Sequence, residues 1–227
     1  INREKFLERW HEQLADYPER IADPHDQAAI RQARDHRLRG RVLIIDAYTP
    51  EPDQDSGSLR LRYLFDCFQQ LGYGVSFFAD NRGYAGIYSS ELQKSGVEVL
   101  YNPWIASLQD FFLERGGEFD FIMISRHYIA ANYISLLQRY CPQARFIFDT
   151  VDLHYLREQR LAALENSLPL QRVAAQTRRS ELAVIRQAAA TLVVSTVEQA
   201  VLAQDAPQAR VHVLSNIHRV SASRNDF

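Results

Sequence analysis

The sequence predicts an α/β domain with a doubly wound, mainly parallel β-sheet of about seven strands. The prediction depends on the order of the segments along the chain and on the apolar character of the short ones. From residue 41 onward, seven short apolar runs alternate with longer stretches of helical periodicity, which is typical of βα units. Runs of this kind are expected for strands that helices cover on both faces. The predicted strands are 42–45, 75–78, 97–100, 121–124, 146–148, 192–194 and 211–214.

Helices are predicted where apolar residues recur at helical spacing between these strands. Gly72 and Gly96 stand just past two of the helical stretches, where a helix commonly ends on a residue with a left-handed backbone. Pro169 interrupts the longest stretch, so we expect a break there. The predicted helices are 58–71, 89–95, 104–115, 127–140, 155–189 and 196–204.

The residues before the first strand form a different kind of segment. Between Phe6 and Tyr17, apolar residues recur at helical spacing among charged ones, and Pro18 and Pro24 end the pattern. We expect one amphipathic helix, a break, and a second helix near 26–37. The apolar stripe is sparse, so we expect it to pack on a neighbouring surface. The expected organisation is a helical lead-in or linker at 1–40, a Rossmann-like domain at 41–218, and the start of an interdomain linker or tail at 219–227.

The composition is that of an ordinary globular chain. Its 227 residues carry 26 basic and 28 acidic side chains, whereas a nucleic-acid-binding surface normally makes a domain strongly basic, so no nucleic acid partner is expected. The densest basic stretch, residues 31–41, is expected to be a solvated helix end, with peripheral contact to an anionic membrane as the alternative. Cys67 and Cys141 form no paired motif, and we expect both to be buried in a protein of a reducing compartment.

The loop after the first predicted strand, residues 46–58, ends in Ser56, Gly57 and Ser58 at the start of a helix. It is too long, and has too few glycines, for the phosphate-binding turn of a dinucleotide site. Backbone N–H groups and the helix dipole make this helix N-terminus a candidate anion site. The alternative is that Ser56 or Ser58 only caps the helix.

Polar side chains also follow the fourth, fifth and last predicted strands. Because parallel strands present their carboxyl ends at the same edge, these side chains are expected to line one polar pocket. Their types would suit a hydrolytic metal site, but their spacing matches no metal-binding motif, and no metal is expected. The residues are Arg126, His127, Asp149, Asp152, His154 and Asn216.

Several segments resemble bacterial glycosyltransferases of family 4, which have the GT-B fold. The resemblance covers about residues 41–218, and it depends on the order and spacing of the motifs rather than on any single motif. The similar segments are 41–46, 55–60, 70–78, 148–154, 188–195 with Glu198, and 211–216.

The resemblance implies two Rossmann-like domains that face a cleft, with this chain as the N-terminal, acceptor-side domain. It implies that the loop at Ser56, Gly57 and Ser58 approaches the donor phosphates and the acceptor. The family commonly has a histidine where this chain has Asp152, and the histidine is displaced to His154. The implied catalytic candidates are Asp152 and His154, and the implied acceptor-side residues include Arg126, His127, Asp149 and Asn216.

The activity implied by the resemblance is retaining transfer of a sugar from a nucleotide sugar to a hydroxyl of a glycan, lipid or other acceptor, in bacterial surface polysaccharide or glycoconjugate synthesis. The resemblance implies no cofactor and no metal, a C-terminal GT-B domain of the same chain as partner, and a cytoplasmic location, at a membrane only on its inner face. The family's donor-side glutamate pair has no counterpart after residue 218, and the only methionine is Met123. We therefore expect a piece of a longer enzyme that transfers no sugar alone. The rival hypotheses are a non-catalytic Rossmann-like scaffold and a metal-dependent hydrolase.

Overall fold

A computed structural model of the protein describes residues 2–15, 17–18 and 21–217. His218 and the predicted tail at 219–227 lie outside the described residues. The strands within them are β1 (Gly40–Asp46), β2 (Tyr73–Ala79), β3 (Glu98–Leu100), β4 (Phe121–Ser125), β5 (Arg145–Asp149), β6 (Ala190–Val193) and β7 (Val211–Val213). They form one sheet in the order β3-β2-β1-β4-β5-β6-β7, and every neighbouring pair is parallel. The order reverses between β1 and β4, as in a doubly wound Rossmann-like sheet, which confirms the predicted fold class.

Helices cover both faces of this sheet. A short 3-10 helix at Gly116–Glu118 was not predicted. The helices are α1 (Asn2–Ala15), α2 (Gln27–Arg34), α3 (Ser56–Gln70), α4 (Gly86–Lys94), α5 (Leu108–Arg115), α6 (His127–Tyr140), α7 (His154–Leu164), α8 (Leu168–Ile185) and α9 (Thr196–Asp205).

The central strand β1 supplies side chains to two hydrophobic cores. Leu43 and Ile45 pack in the core that α5, α6, α8 and α9 cover, and Val42 and Ile44 pack in the core under α3 and α4. All four side chains are fully buried, and each stabilises the fold by about 1.5–3 kcal/mol relative to an exposed position. This double burial explains why the run reads as continuously apolar.

The break in the predicted helix 155–189 lies earlier than expected. α7 ends at Leu164, and α8 begins at Leu168 with Ser167 as its side-chain N-cap. Pro169 therefore lies in the first turn of α8, where a residue without an N–H loses no helical hydrogen bond. The expectation of a break at the proline itself was wrong, because the serine cap begins the helix before it.

Other helix ends follow the sequence signals more closely. Gly72 and Gly96 both have φ of 86°, so they are left-handed residues just past α3 and α4, as predicted. The helix predicted at 104–115 begins only at Leu108, because the Ser107 side chain caps it there by accepting a hydrogen bond from the backbone.

The two lead-in helices differ in how they contact the domain. α1 has no buried residue, and Phe6 and Trp10 are 54% and 41% exposed, so the expected packing of its apolar stripe is not seen within the described residues. α2 is attached by ion pairs from Arg31 to Glu118 at 2.6 Å and to Glu114 at 3.1 Å.

Three of the five arginines in the basic stretch at 31–41 form ion pairs, and the other two, Arg37 and Arg39, are exposed. The nearly buried Arg41 side chain contacts Asp35 at 2.8 Å and Glu98 at 2.7 Å, and Arg115 contacts Glu98 at 3.0 Å. Although burial favours the neutral carboxyl, these guanidinium groups lower the pKa of Glu98 to about 2. The expectation of a solvated helix end therefore holds for the exposed Arg37 and Arg39, and it was wrong for Arg31 and Arg41, which neutralise acids of the domain. No helix in the described part of the chain is long and apolar enough to cross a membrane.

The two cysteines occupy different environments. Cys141 is buried, and this burial raises the pKa of its thiol to about 11. Cys67 is exposed, so the prediction of burial was wrong for it. It lies two residues beyond the buried Phe65 on α3, and two residues turn an α-helix to its opposite side.

Candidate functional site

A pocket of about 220 Å³ opens at the carboxyl edge of the sheet, between the loop after β1 and the start of α6. The strand order reverses at this point, which is where ligands of doubly wound sheets bind. The pocket combines carboxylates, hydroxyls and one guanidinium. Its polar lining residues are Asp46, Thr49, Glu51, Asp55, Ser58 and Arg126.

Asp46, the last residue of β1, is the most enclosed carboxylate of this pocket. Its Oδ1 accepts hydrogen bonds from the Ala47 N–H at 2.7 Å and from the Arg126 Nε at 2.9 Å. Burial raises the pKa of Asp46, and the Arg126 guanidinium only partly opposes this effect. A buried carboxylate with a raised pKa is well suited to hold or exchange a proton with a ligand hydroxyl.

Four lining residues of the pocket were not predicted from the sequence: Asp46, Thr49, Glu51 and Asp55. The available signal was position, because Asp46 directly follows the first buried strand and the other three belong to the loop after it. The resemblance instead implied that Ser56, Gly57 and Ser58 approach the donor phosphates and the acceptor.

Arg126 lies in the pocket, as its predicted acceptor-side role requires. It occupies the turn between β4 and α6 with φ of 70° and ψ of 129°. This backbone conformation is unfavourable for any residue other than glycine and costs on the order of 1–3 kcal/mol. Its backbone N–H donates to the Asp149 carbonyl at 3.0 Å, and its side chain donates to Asp46. Both contacts hold the guanidinium at the pocket.

The predicted anion loop is occupied by a carboxylate of the chain itself. Asp55 is the N-cap of α3; its Oδ1 accepts from the Ser58 N–H at 2.8 Å, and its Oδ2 accepts from the Ser58 hydroxyl at 2.6 Å. Partial burial favours the neutral acid, yet hydrogen bonds from Ser58 and Gly57 lower the pKa of Asp55. Neither Ser56 nor Ser58 is the cap, because Asp55 takes that position. A phosphate at this helix end would have to compete with Asp55.

Asp149 and Asn216 lie away from the pocket. Asp149 is buried at the end of β5, and its two oxygens pair with Arg60 at 2.7 and 3.0 Å. Arg60 also donates to the Leu214 carbonyl at 3.1 Å, so this pair joins α3, β5 and the segment after β7. Asn216 is exposed beyond that segment.

Two other predicted residues, His127 and His154, form a separate histidine cluster with Tyr128 and Glu181. The rings of His127 and His154 lie 5.2 Å apart, and those of Tyr128 and His154 lie 6.0 Å apart. The His154 Nδ1 is 3.7 Å from the fully buried Glu181 carboxylate. The cluster is adjacent in sequence to Arg126 but does not line the pocket.

The pKa values of the two histidines are shifted in opposite directions. Burial disfavours the charged form of His154, but Glu181 and Asp152 outweigh it and raise the pKa of His154. Burial lowers the pKa of His127, and the charge of His154 adds to this effect while Glu181 opposes it. A proton bound by this pair is therefore favoured on His154 over His127.

Asp152 is at the margin of the histidine cluster. Its carboxylate pairs with Arg157 at 2.6 Å and remains about one-third exposed. The preceding Val151 has φ of 63°, a conformation that a β-branched residue rarely adopts. Two residues of this edge with positive φ, Arg126 and Val151, therefore flank the predicted site residues.

No group of three or more histidine, cysteine or acidic side chains in the described residues is arranged to hold a metal ion. Larger cavities of about 390 and 460 Å³ lie at the opposite, amino edge of the sheet, around Ala188 and Ala189. Size alone does not locate the site, because ligands of such sheets bind at the carboxyl edge.

No protein-family model matches the sequence, and no curated protein matches it either. Solved structures of an alpha-glucosyltransferase in complex with UDP and a 13-mer DNA are similar to this chain. Two contain an HMU base in the DNA, with TM-scores of 0.45 and 0.41, 19% identity, and coverage of 78% and 77% of this chain. A third contains a central A:G mismatch, with a TM-score of 0.40, 18% identity and coverage of 69%. The chain spans 42%, 41% and 37% of those structures, respectively.

Proposed function

We propose that the chain is the acceptor-side domain of a retaining glycosyltransferase, which transfers a sugar from a nucleotide-sugar donor to a hydroxyl of a glycan, lipid or other acceptor. In this proposal the pocket at the carboxyl edge holds the acceptor hydroxyl and the transferred sugar. A second α/β domain of the same chain holds the nucleotide.

The observation that carries the proposal is the convergence of separate sequence motifs on one pocket. The segments 41–46 and 55–60, which resemble family 4 glycosyltransferases, supply Asp46, Asp55 and Ser58 to the lining, and Arg126 joins them from β4. The two segments flank a single loop, whereas Arg126 is 80 residues from Asp46 in sequence, and ligand binding explains why Arg126 shares one small space with them at the switch point.

The pocket is chemically suited to polyhydroxylated groups. Carboxylates accept hydrogen bonds from hydroxyls, and the Arg126 guanidinium donates to oxygens. In the transfer, the acceptor oxygen bonds to the anomeric carbon, the bond from that carbon to the diphosphate breaks, and the proton of the acceptor hydroxyl passes to the departing diphosphate oxygen. Asp46 would orient that hydroxyl. Arg126 would stabilise the negative charge that develops on the oxygen leaving the anomeric carbon.

The charge of the pocket supports a separate site for the diphosphate. Asp46, Glu51 and Asp55 face a single guanidinium, that of Arg126, and Asp55 already accepts hydrogen bonds at the α3 N-terminus. A diphosphate needs cations or free N–H groups, so we assign it to the second domain. We accordingly predict no turnover of sugar nucleotides by the purified 227-residue chain.

The test compares variants of the full natural protein that contains this chain. Arg126→Ala should reduce kcat/KM for sugar transfer by about 100-fold, on the scale of a lost charge-stabilising group. Arg126→Lys should restore part of the rate, and Arg139→Ala, at an exposed position on α6, is the matched control. Transfer at the normal rate by Arg126→Ala would contradict the proposal.

A non-catalytic scaffold is the second candidate. The buried Arg60–Asp149 pair and the His154–Glu181 contact favour it, because both predicted site residues make contacts typical of structural roles. Asp152→Asn and His154→Gln in the full natural protein separate a catalytic from a structural role of these two residues. Lost transfer with unchanged thermal unfolding supports the enzyme, whereas lower stability with normal transfer supports a structural role for these residues.

A further inference from the structure

Four aromatic side chains occupy the loops that follow β1, β2 and β3. Tyr48, Tyr84 and Trp104 are 67%, 46% and 79% exposed, and the Tyr84 ring lies on the Tyr101 ring with centroids 4.8 Å apart. We call these four residues the aromatic edge. Exposed clusters of large rings on a soluble domain commonly mark binding surfaces.

The three loops form one continuous surface. Backbone hydrogen bonds join the first loop to the second, from Asp80 N–H to Asp46 O at 2.8 Å, and the second to the third, from Asn102 N–H to Arg82 O at 3.1 Å. The sheet order β1, β2, β3 then spaces the loops over about 10 Å, two inter-strand distances of about 4.8 Å.

The aromatic edge begins at the candidate pocket. Tyr48 belongs to the pocket lining together with Asp46 and Arg126. From there the exposed rings continue toward β3, away from the histidine cluster. A ligand seated in the pocket can therefore extend along the rings.

The charge of these loops selects the class of ligand. Residues 46–55, 80–86 and 101–107 contain five carboxylates, and Arg82 is their single basic residue. Aromatic platforms for single-stranded nucleic acids lie in positively charged grooves, so this acidic edge repels a phosphate backbone. Carboxylates, the amides of Asn81 and Asn102, and tyrosine hydroxyls are hydrogen-bonding partners for neutral hydroxyls.

We propose that the aromatic edge binds an uncharged oligosaccharide, whose terminal sugar enters the pocket while the following sugars stack on Tyr48, the Tyr84–Tyr101 pair and Trp104. This inference rests on the proposed function and narrows the acceptor to a neutral glycan. The apolar faces of the sugar rings contact the aromatic rings, and their hydroxyls face the acidic loops.

The test uses the intrinsic fluorescence of Trp104. The chain has two tryptophans, so Trp10→Phe leaves Trp104 as the single reporter. The 227-residue chain is titrated with neutral tetrasaccharides of glucose, mannose and N-acetylglucosamine, and in parallel with a short thymidine oligonucleotide. At least one tetrasaccharide should shift the emission saturably, and the oligonucleotide should not.

Variants locate the binding surface. In the Trp10→Phe background, Tyr48→Ala and Tyr84→Ala should each weaken saccharide binding by about fivefold, equivalent to one lost aromatic contact. Leu164→Ala is the matched control, since Leu164 is 86% exposed on another surface, and it should bind normally. Calorimetry of Trp104→Ala checks the fluorescence result independently.

The outcomes separate this inference from the proposed function. Absence of tetrasaccharide binding, preference for the oligonucleotide, or equal weakening by Leu164→Ala overturns the inference, even when the full natural protein transfers sugar. Saccharide binding on the aromatic edge in a full natural protein that transfers no sugar supports the inference and overturns the proposed function.

Discussion

At the residue scale, the carboxyl edge contains two kinds of ionisable group. Asp46 and Arg126 contact each other inside an open pocket, whereas Asp149 and Arg60 pair with almost no solvent exposure. The first pair remains accessible to a ligand. The second is enclosed, so its expected effect is on folding.

Arg60→Met is predicted to destabilise the protein strongly, because it leaves the buried Asp149 carboxylate without its cation. Breaking a buried pair in this way typically costs about 3–5 kcal/mol. Urea unfolding measures the change. The control is Lys94→Met, which removes an exposed pair with Glu91 and should leave the unfolding midpoint unchanged. Equal midpoints for both variants would mean that the buried pair contributes nothing.

The two histidines of the cluster are predicted to titrate in different pH ranges. His154 has a raised pKa and His127 a lowered one, so NMR titration should place His154 above the usual value of about 6.5 and His127 below it. The stabilisation from His154 is complete below that usual value and is lost as the pH rises through the folded pKa. Asp152→Asn should lower the pKa of His154. Overlapping titrations of the two rings would contradict this interpretation.

At the element scale, ion pairs rather than apolar contacts attach α2 to the domain. Arg41 and Arg115 converge on Glu98 at the amino edge of the sheet, and Arg31 of α2 reaches Glu118. These pairs account for Arg31 and Arg41 of the basic stretch without an external anion.

Glu98→Gln is therefore predicted to destabilise the protein at neutral pH, by at most about 3 kcal/mol. The carboxylate pKa is lowered from 4.5 to about 2, so its stabilisation is complete above pH 4.5 and is lost as the pH falls toward 2. Urea midpoints of both proteins should converge over that range. A difference that stays constant between pH 7 and pH 3 would show that charge is not the cause.

At the scale of the whole molecule, the central strand of the sheet is buried, whereas β7, one of its two edge strands, is partly exposed. The β1 side chains from Val42 to Ile45 are fully buried, whereas β7 is an edge strand with two exposed residues, His212 and Val213. Edge strands leave one row of backbone groups unpaired within the sheet.

Amide hydrogen exchange should consequently be slowest in β1 and β4 and fastest, among the strands, in β7. Exchange rates follow the free energy of local opening, which is largest where the most apolar surface is buried. Mass spectrometry of peptides from each strand measures this order. Protection of β7 equal to that of β1 would contradict the expected order and indicate that another element covers the edge.

The sequence by itself determined the doubly wound sheet, because strands buried on both faces must be apolar throughout and helical periodicity must separate them. It also placed Arg126 at the carboxyl edge of the sheet, since position after a strand specifies the edge on which a side chain lies.

Only the tertiary structure decided which polar groups face a ligand. Asp149 and Asp46 both end apolar strands, yet a salt bridge with Arg60 encloses the first while the second lines the pocket. Asp55 and Ser58 likewise differ from expectation because the acid caps the helix. The partners of these charges come from distant parts of the chain, so local pattern does not specify which carboxylate is neutralised within the fold and which remains available to a ligand.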